Sequence, residues 1–195
     1  MLRRLFTTFT IMLSCSSANA AFFEKELYTP LAEAYSSDKS IDKFFSLTCN
    51  PCWNMSTLFE KNSRLKELEI NRIHAVFDDL TETSARLYYT AKVQVDPVPH
   101  ALLYELFAIV QSTDDLKLSD ADLLFSNFKL LNTQQLSEDQ LVEAESMIHD
   151  SINLTETVRI SAIPAFIVNG KYSVNLSNHR SIDQFIDTLN RLKDA

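Results

Sequence analysis

The sequence predicts an α/β protein in which a block of helices interrupts a sheet, and three observations carry that prediction. Apolar runs bounded by turn residues occur at 41–48, 70–77 and 163–168, the mark of strands with buried faces. Between 78 and 157 the apolar residues recur at spacings of three and four instead, the helical period. The 195-residue chain also contains a single Gly. It therefore has few places that force a left-handed turn, which favours helix over a many-stranded sandwich.

The length suits one domain, or one domain with a sizeable insertion. Hydrophobic residues at 46% and charged residues at 23% are ordinary for a globular protein and exclude a disordered tail, a collagen-like rod or a disulfide-dense miniprotein. The net charge of −8, with no long basic run, argues against nucleic acid as a partner, since phosphate binding needs clustered positive charge.

Residues 1–20 read as an export signal. Arg3 and Arg4 form the charged start, Leu5 to Leu13 is a short apolar stretch, and Ala18-Asn19-Ala20 is an A-x-A site that predicts cleavage after Ala20. The apolar stretch is too short to span a bilayer of about 30 Å as a helix. Two other readings stay open: a buried N-terminal helix, and a lipoprotein leader in which Cys15 is lipidated. Cleavage after Ala20 removes Cys15 and leaves Cys49 and Cys52 in an oxidising compartment.

The remaining elements follow in order. The segment 27–35 fits either a first strand or a short helix. IDKFFSLT, from Ile41 to Thr48, is a strand. Pro51 stands where a first helical turn favours proline, and a helix is expected over 53–67 with Met55, Leu58, Phe59, Leu65 and Leu68 as its apolar positions. A second strand spans 70–77. Roughly four helices of ordinary length fit between 78 and 157. Pro97 and Pro99 separate the first two, and capping boxes are read at Ser119–Asp122 and Ser137–Gln140. Asn169-Gly170 between two strand-like runs predicts a hairpin, because both residues accept positive φ. A last amphipathic helix covers 181–193, with Ile182, Phe185, Ile186, Leu189 and Leu192 on one face. Phe22, Phe23, Phe44, Phe45, Phe166 and Phe185 are assigned to the core, His74 to a structural role, and Asp114-Asp115 to a solvated loop.

The chemistry is expected at Cys49-Asn50-Pro51-Cys52. Two cysteines three apart at a strand-to-helix junction put the first thiol at a helix N-terminus, where free amides and the helix dipole stabilise a thiolate. A thiol of pKa about 8.5 is roughly 3% ionised at pH 7, whereas one shifted to about 7 is half ionised. The thiolate is the attacking species in disulfide exchange. Cys49 is therefore the expected nucleophile and Cys52, one turn inside the helix, the more buried resolving thiol. A zinc site is disfavoured, because His74, His100, His149 and His179 are dispersed and zinc wants four ligands. A purely structural bridge is disfavoured because so small a loop gains little from closure. Neither a metal nor a cofactor is expected. Trp53 follows Cys52 and fits either a reporter packed near the sulfurs or plain helix core.

The order strand, CxxC, helix, strand, helical block, hairpin, helix, with FFSLT before the cysteines and IPAFIVNGKYSV near the end, resembles the DsbA-type thiol:disulfide oxidoreductases. The resemblance covers 21–195. It implies a thioredoxin fold with a helical insertion at about 78–157, and a cis Ile163–Pro164 peptide beside the cysteines that offers backbone to the substrate chain. There are departures. Asn50-Pro51 replaces the Pro-His pair of DsbA and is nearer to the Gly-Pro of thioredoxin, and Ile163 before the proline also matches thioredoxin. Lys43, with Asp42 beside it, occupies the strand position of a buried acid; its ammonium is expected to snorkel outward, the alternative being a Lys near the thiols that favours the anion. Loss of the His implies a less oxidising couple, between about −120 mV for DsbA and about −270 mV for thioredoxin.

The function so implied is that of a periplasmic thiol:disulfide oxidoreductase acting on folding exported proteins through a mixed disulfide on Cys49. A membrane redox partner of the DsbB type fits this reading. A monomer is expected, since no dimerisation segment of the DsbC kind is visible. The alternatives are a reductase or isomerase of the same fold, and a redox-inert binding module or chaperone.

Overall fold

A computed structural model describes residues 27–37 and 40–195. The export signal, Cys15, Phe22 and Phe23 lie outside the described residues. Among the described residues are five strands and seven α-helices. In chain order they are β1 (Tyr28–Pro30), β2 (Ile41–Phe45), α1 (Asn50–Lys61), α2 (Ser63–Lys66), β3 (Ile70–His74), α3 (Asp79–Lys92), α4 (His100–Ser112), α5 (Asp122–Asn127), α6 (Glu138–Thr157), β4 (Ala165–Val168), β5 (Tyr172–Val174) and α7 (Ile182–Lys193). The segment 27–35 resolves as a strand at its start, followed by irregular chain.

The strands form one sheet in the order β1-β5-β4-β2-β3. β2 and β3 run parallel, with Phe44 opposite Ile73, and the other pairs are antiparallel, with Lys43 opposite Phe166. The β4–β5 connection is the expected hairpin. Lys171 N–H donates to the Val168 carbonyl at 3.0 Å, and Asn169 and Gly170 carry φ of 53° and 62°, the backbone of a type I′ turn.

All five residues of β2 are buried, so both faces of this strand are covered. Ile41 joins Phe166 and Val168 in a cluster closed by Phe185, Ile186, Leu189 and Leu192 of α7 and by Met55, Leu58 and Phe59 of α1. Each fully buried side chain of this kind contributes about 1.5–3 kcal/mol. Phe44 packs on the opposite face with Ile73 and Ile167. Phe45, at the strand end, enters the core of the inserted helices with Tyr88, Leu102, Leu106 and Phe107. Thus α3–α6 interrupt the chain between β3 and β4 yet share a core with the end of β2.

Several local expectations are corrected. The helix expected over 53–67 breaks at Asn62, whose side chain accepts from Leu65 N–H and starts α2. The box at Ser137–Gln140 is present, but the one at Ser119–Asp122 is not: there a short 3₁₀ turn runs from Leu118 to Ala121, and Asp120 accepts from the Lys117 N–H. Ile182 is exposed rather than on the buried face of α7. The scarcity of Gly does not exclude left-handed backbone either. Lys129 and Arg159 adopt φ of 60° and 56°, each just after a helix.

Candidate active site

The end of β2 delivers the chain to the helix that carries the cysteines. Cys49 is the N-cap of α1: its backbone is extended, its N–H donates to the Ser46 carbonyl at 3.1 Å, and its sulfur accepts from Cys52 N–H at 3.1 Å. A sulfur that accepts an amide at a helix start sits where an anion is favoured. Pro51 lies within the first turn, where its missing N–H costs nothing. Cys49 and Cys52 are joined as a disulfide with Cα atoms 5.2 Å apart. Cys52 is fully buried, whereas Cys49 is partly exposed.

Two other segments, the Ile163–Pro164 turn and α4, frame the pair. The Ile163–Pro164 peptide is cis, and Cys49 Sγ lies 3.6 Å from the Ile163 carbonyl oxygen. From α4, Gln111 donates to the Leu47 carbonyl at 2.9 Å and accepts from Asn50 Nδ2 at 3.4 Å. Trp53 stacks on Phe107, with ring centroids 5.9 Å apart, and meets Tyr104 edge-on at 5.1 Å. It packs against the cluster that contains Cys52, as Cys49 does, which is the core reading of it. Its Nε1 is buried and has no hydrogen-bond partner among the described residues.

His74 lies inside the core. Its Nδ1 faces the Ala75 carbonyl at 3.1 Å and must donate there, which leaves Nε2 to accept from Leu47 N–H at 3.0 Å. Burial pushes its pKa down to about 3, so the ring is neutral at ordinary pH and holds the turn before the cysteines.

Lys43 does not snorkel outward. It is 3% exposed, its Nζ donates to Ser56 Oγ at 3.3 Å, and it lies 5.1 Å from the Phe59 ring centroid. The strand alternation explains this. Lys43 shares the face of Ile41 and Phe45, and α1 covers that face, so the side chain has no short route to water. Ser56 in turn donates to the Cys52 carbonyl at 3.0 Å. Burial, with the Arg72 guanidinium second, pushes the Lys43 ammonium down to about 7.

Sequence reasoning missed Ser56 and Gln111. Ser56 was within reach, since it lies four residues after Cys52 and therefore on the same helix face. Gln111 carried no local signal, because its role depends on how α4 docks. A second cis peptide, Asp96–Pro97, stands where only a helix break was expected.

No protein-family model matches the sequence. Solved structures do resemble it. A variant of Pseudomonas aeruginosa DsbA superposes with a TM-score of 0.69 at 12% identity, covering 87% of this chain and 95% of that one. The oxidoreductase DsbA1 of Neisseria meningitidis gives 0.64 at 20% identity, covering 87% and 91%. Proteus mirabilis DsbA, in complex with a non-covalently bound peptide, gives 0.61 at 17% identity, covering 87% and 95%. This chain has the fold of the DsbA oxidoreductases: a thioredoxin-type sheet with a helical insertion between its halves.

Proposed function

We propose that the chain is a thiol:disulfide oxidoreductase that exchanges disulfides with other proteins through a mixed disulfide on Cys49. One observation carries the reading: the Cys49–Cys52 disulfide sits at the start of α1 with the partly exposed sulfur 3.6 Å from the Ile163 carbonyl oxygen. A substrate thiolate adds to Cys49 Sγ, the bond to Cys52 breaks, and a second substrate thiol then displaces Cys49. The backbone at Ile163 and Pro164 is the edge along which the substrate chain lies, and Asn50 and Pro51 form the exposed turn it meets. The leader sequence supports export to the periplasm and folding exported proteins as substrates. A monomer served by a DsbB-type membrane partner completes the reading. Asn50-Pro51, in place of a His beside the nucleophile, supports a couple between about −120 and −270 mV.

Reduction of insulin by dithiothreitol, followed by turbidity, tests the activity. The wild-type chain accelerates it and Cys49→Ser does not; equal rates for both would leave a redox-inert binder. Cys52→Ala is expected to accumulate covalent adducts with exported proteins that dissolve on reduction.

A further inference from the structure

Two cations stand side by side on the sheet face that α1 covers. Lys43 of β2 lies opposite Arg72 in the parallel register with β3. Such partners share one face of the sheet, with their strands about 4.8 Å apart, and like charges so placed repel. Lys43 is moreover buried. Its Nζ meets Ser56 Oγ at 3.3 Å with the Phe59 ring beside it, and Arg72 Nη1 donates to the Val98 carbonyl at 3.0 Å. Among the described residues, no carboxylate bonds to either side chain. A buried cation without a counter-charge is costly, so the pair lacks an anion.

A cavity of about 410 Å³ opens at this pair. Lys43 and Arg72 line it, and so do Ser56, Phe59 and Val98, the residues their charged heads touch. Both heads therefore lie at its wall. Leu65 and Leu68 extend the apolar lining. Apolar walls with a few fixed polar groups are the usual form of a small-molecule site. We propose that this cavity binds a small organic monocarboxylate, its charged end held between Lys43 and Arg72 and its apolar body laid along Phe59, Leu65, Leu68 and Val98. A cation set as deeply as Lys43 is reached by a small molecule and not by a protein surface. The planar fork of Arg72 suits the two oxygens of a carboxylate.

The surrounding charges favour one negative charge and no more. Lys43, Arg72, Lys66 and Lys92 line the cavity with Glu60, Glu69 and Asp96, and His100 completes the titratable rim. His100 aside, the surplus is a single positive charge, which one carboxylate cancels and a dianion would exceed. The acids present do not serve the pair. Glu60 is held by Lys66 at 2.6 Å and Asp96 by Lys92 at 2.9 Å, while Glu69 is exposed. Asp42 is turned to the other face of the sheet, where Tyr35 and Asn71 bond to it. Burial pushes the Tyr88 phenol up, so it stays neutral. A bound carboxylate favours the Lys43 ammonium, so binding takes up a proton there and weakens as pH rises past about 7.

The test is calorimetric titration of octanoate into the oxidised chain from about pH 6 to 9, where octanoate stays ionised. In the wild-type chain the affinity is expected to fall at least about tenfold across that range. Lys43→Arg keeps the positive charge but cannot lose a proton, so its affinity is expected to change less than about twofold. Lys43→Met and Arg72→Gln are each expected to bind at least about tenfold more weakly at pH 6. Octan-1-ol, which lacks the charge, and acetate, which lacks the apolar body, are expected to bind at least about tenfold more weakly than octanoate. If a Lys43 variant fails to fold, Arg72→Gln and the wild-type pH profile carry the test. No binding at millimolar octanoate, octanol binding as tightly, a wild-type affinity that ignores pH, or wild-type affinity in Lys43→Met or Arg72→Gln overturns the proposal. None of these readings involves thiol exchange, so the site stands or falls apart from the oxidoreductase reading.

Discussion

The Leu47 backbone N–H donates to His74 Nε2 at 3.0 Å, across the junction between β2 and the parallel β3. The imidazole is fully buried and neutral, and Ser84 Oγ lies 3.2 Å from the same nitrogen. His74→Ala leaves the Leu47 amide unsatisfied and opens a cavity. It is expected to cost about 3–5 kcal/mol in urea unfolding, and a loss below about 1 kcal/mol would contradict this role.

The same histidine sets an acid limit. Its folded pKa of about 3 lies below the ordinary 6.5, so between those values the unfolded chain binds the proton and the folded chain does not. Stability contributed by neutral His74 is complete above about pH 6.5 and lost as pH falls toward 3. His74→Gln is expected to flatten that part of the stability profile, and an unchanged slope in this variant would assign the acid sensitivity elsewhere.

Lys43 acts at the other end of the scale. Its folded pKa of about 7 lies below 10.5, so between these values the unfolded chain again holds more protons, and stability rises with pH. Lys43→Met is expected to remove that rise and to stabilise the fold at pH 7 by about 1–4 kcal/mol. Calorimetry at two pH values checks both signs.

Helices α5 and α6 end alike. Leu130 N–H bonds to the Phe125 carbonyl at 2.8 Å and Ile160 N–H to that of Thr155 at 3.0 Å, with Lys129 and Arg159 left-handed between. Glycine is the residue this ending favours. Lys129→Gly and Arg159→Gly are each expected to stabilise by about 0.5–1 kcal/mol, readable as a raised Tm.

Trp53 is the only tryptophan, and it packs against the cluster that Cys49 joins. Its emission is expected to rise when the disulfide is reduced, because a nearby disulfide quenches indole. Cys49→Ser should show no response to dithiothreitol; a response there would place the effect elsewhere.

What was legible in the sequence was local. Cys49, Pro51 and Cys52 announce a capped helix by type and spacing, and Asn169-Gly170 announces a type I′ turn because few other pairs tolerate that backbone. Gly170 carries a second constraint invisible in the sequence: a Cβ there would lie 2.0 Å from the Tyr35 carbonyl oxygen. Lys43 shows where local reasoning stopped. A flexible charged chain ordinarily reaches water, and only the docking of α1 over Ile41, Lys43 and Phe45 closes that route. The break at Asn62 was hidden for a similar reason, since the apolar spacing continues across it to Leu65.

Gln111 ties the inserted helices to the turn that carries the disulfide. Its one carboxamide grips the Leu47 carbonyl on one side and Asn50 on the other, so the rim of the disulfide turn is built partly from α4. The insertion is therefore a strut and not an ornament. Excising it to reach a minimal sheet-and-helix protein removes the brace that sets how Leu47 and Asn50, on either side of Cys49, are presented.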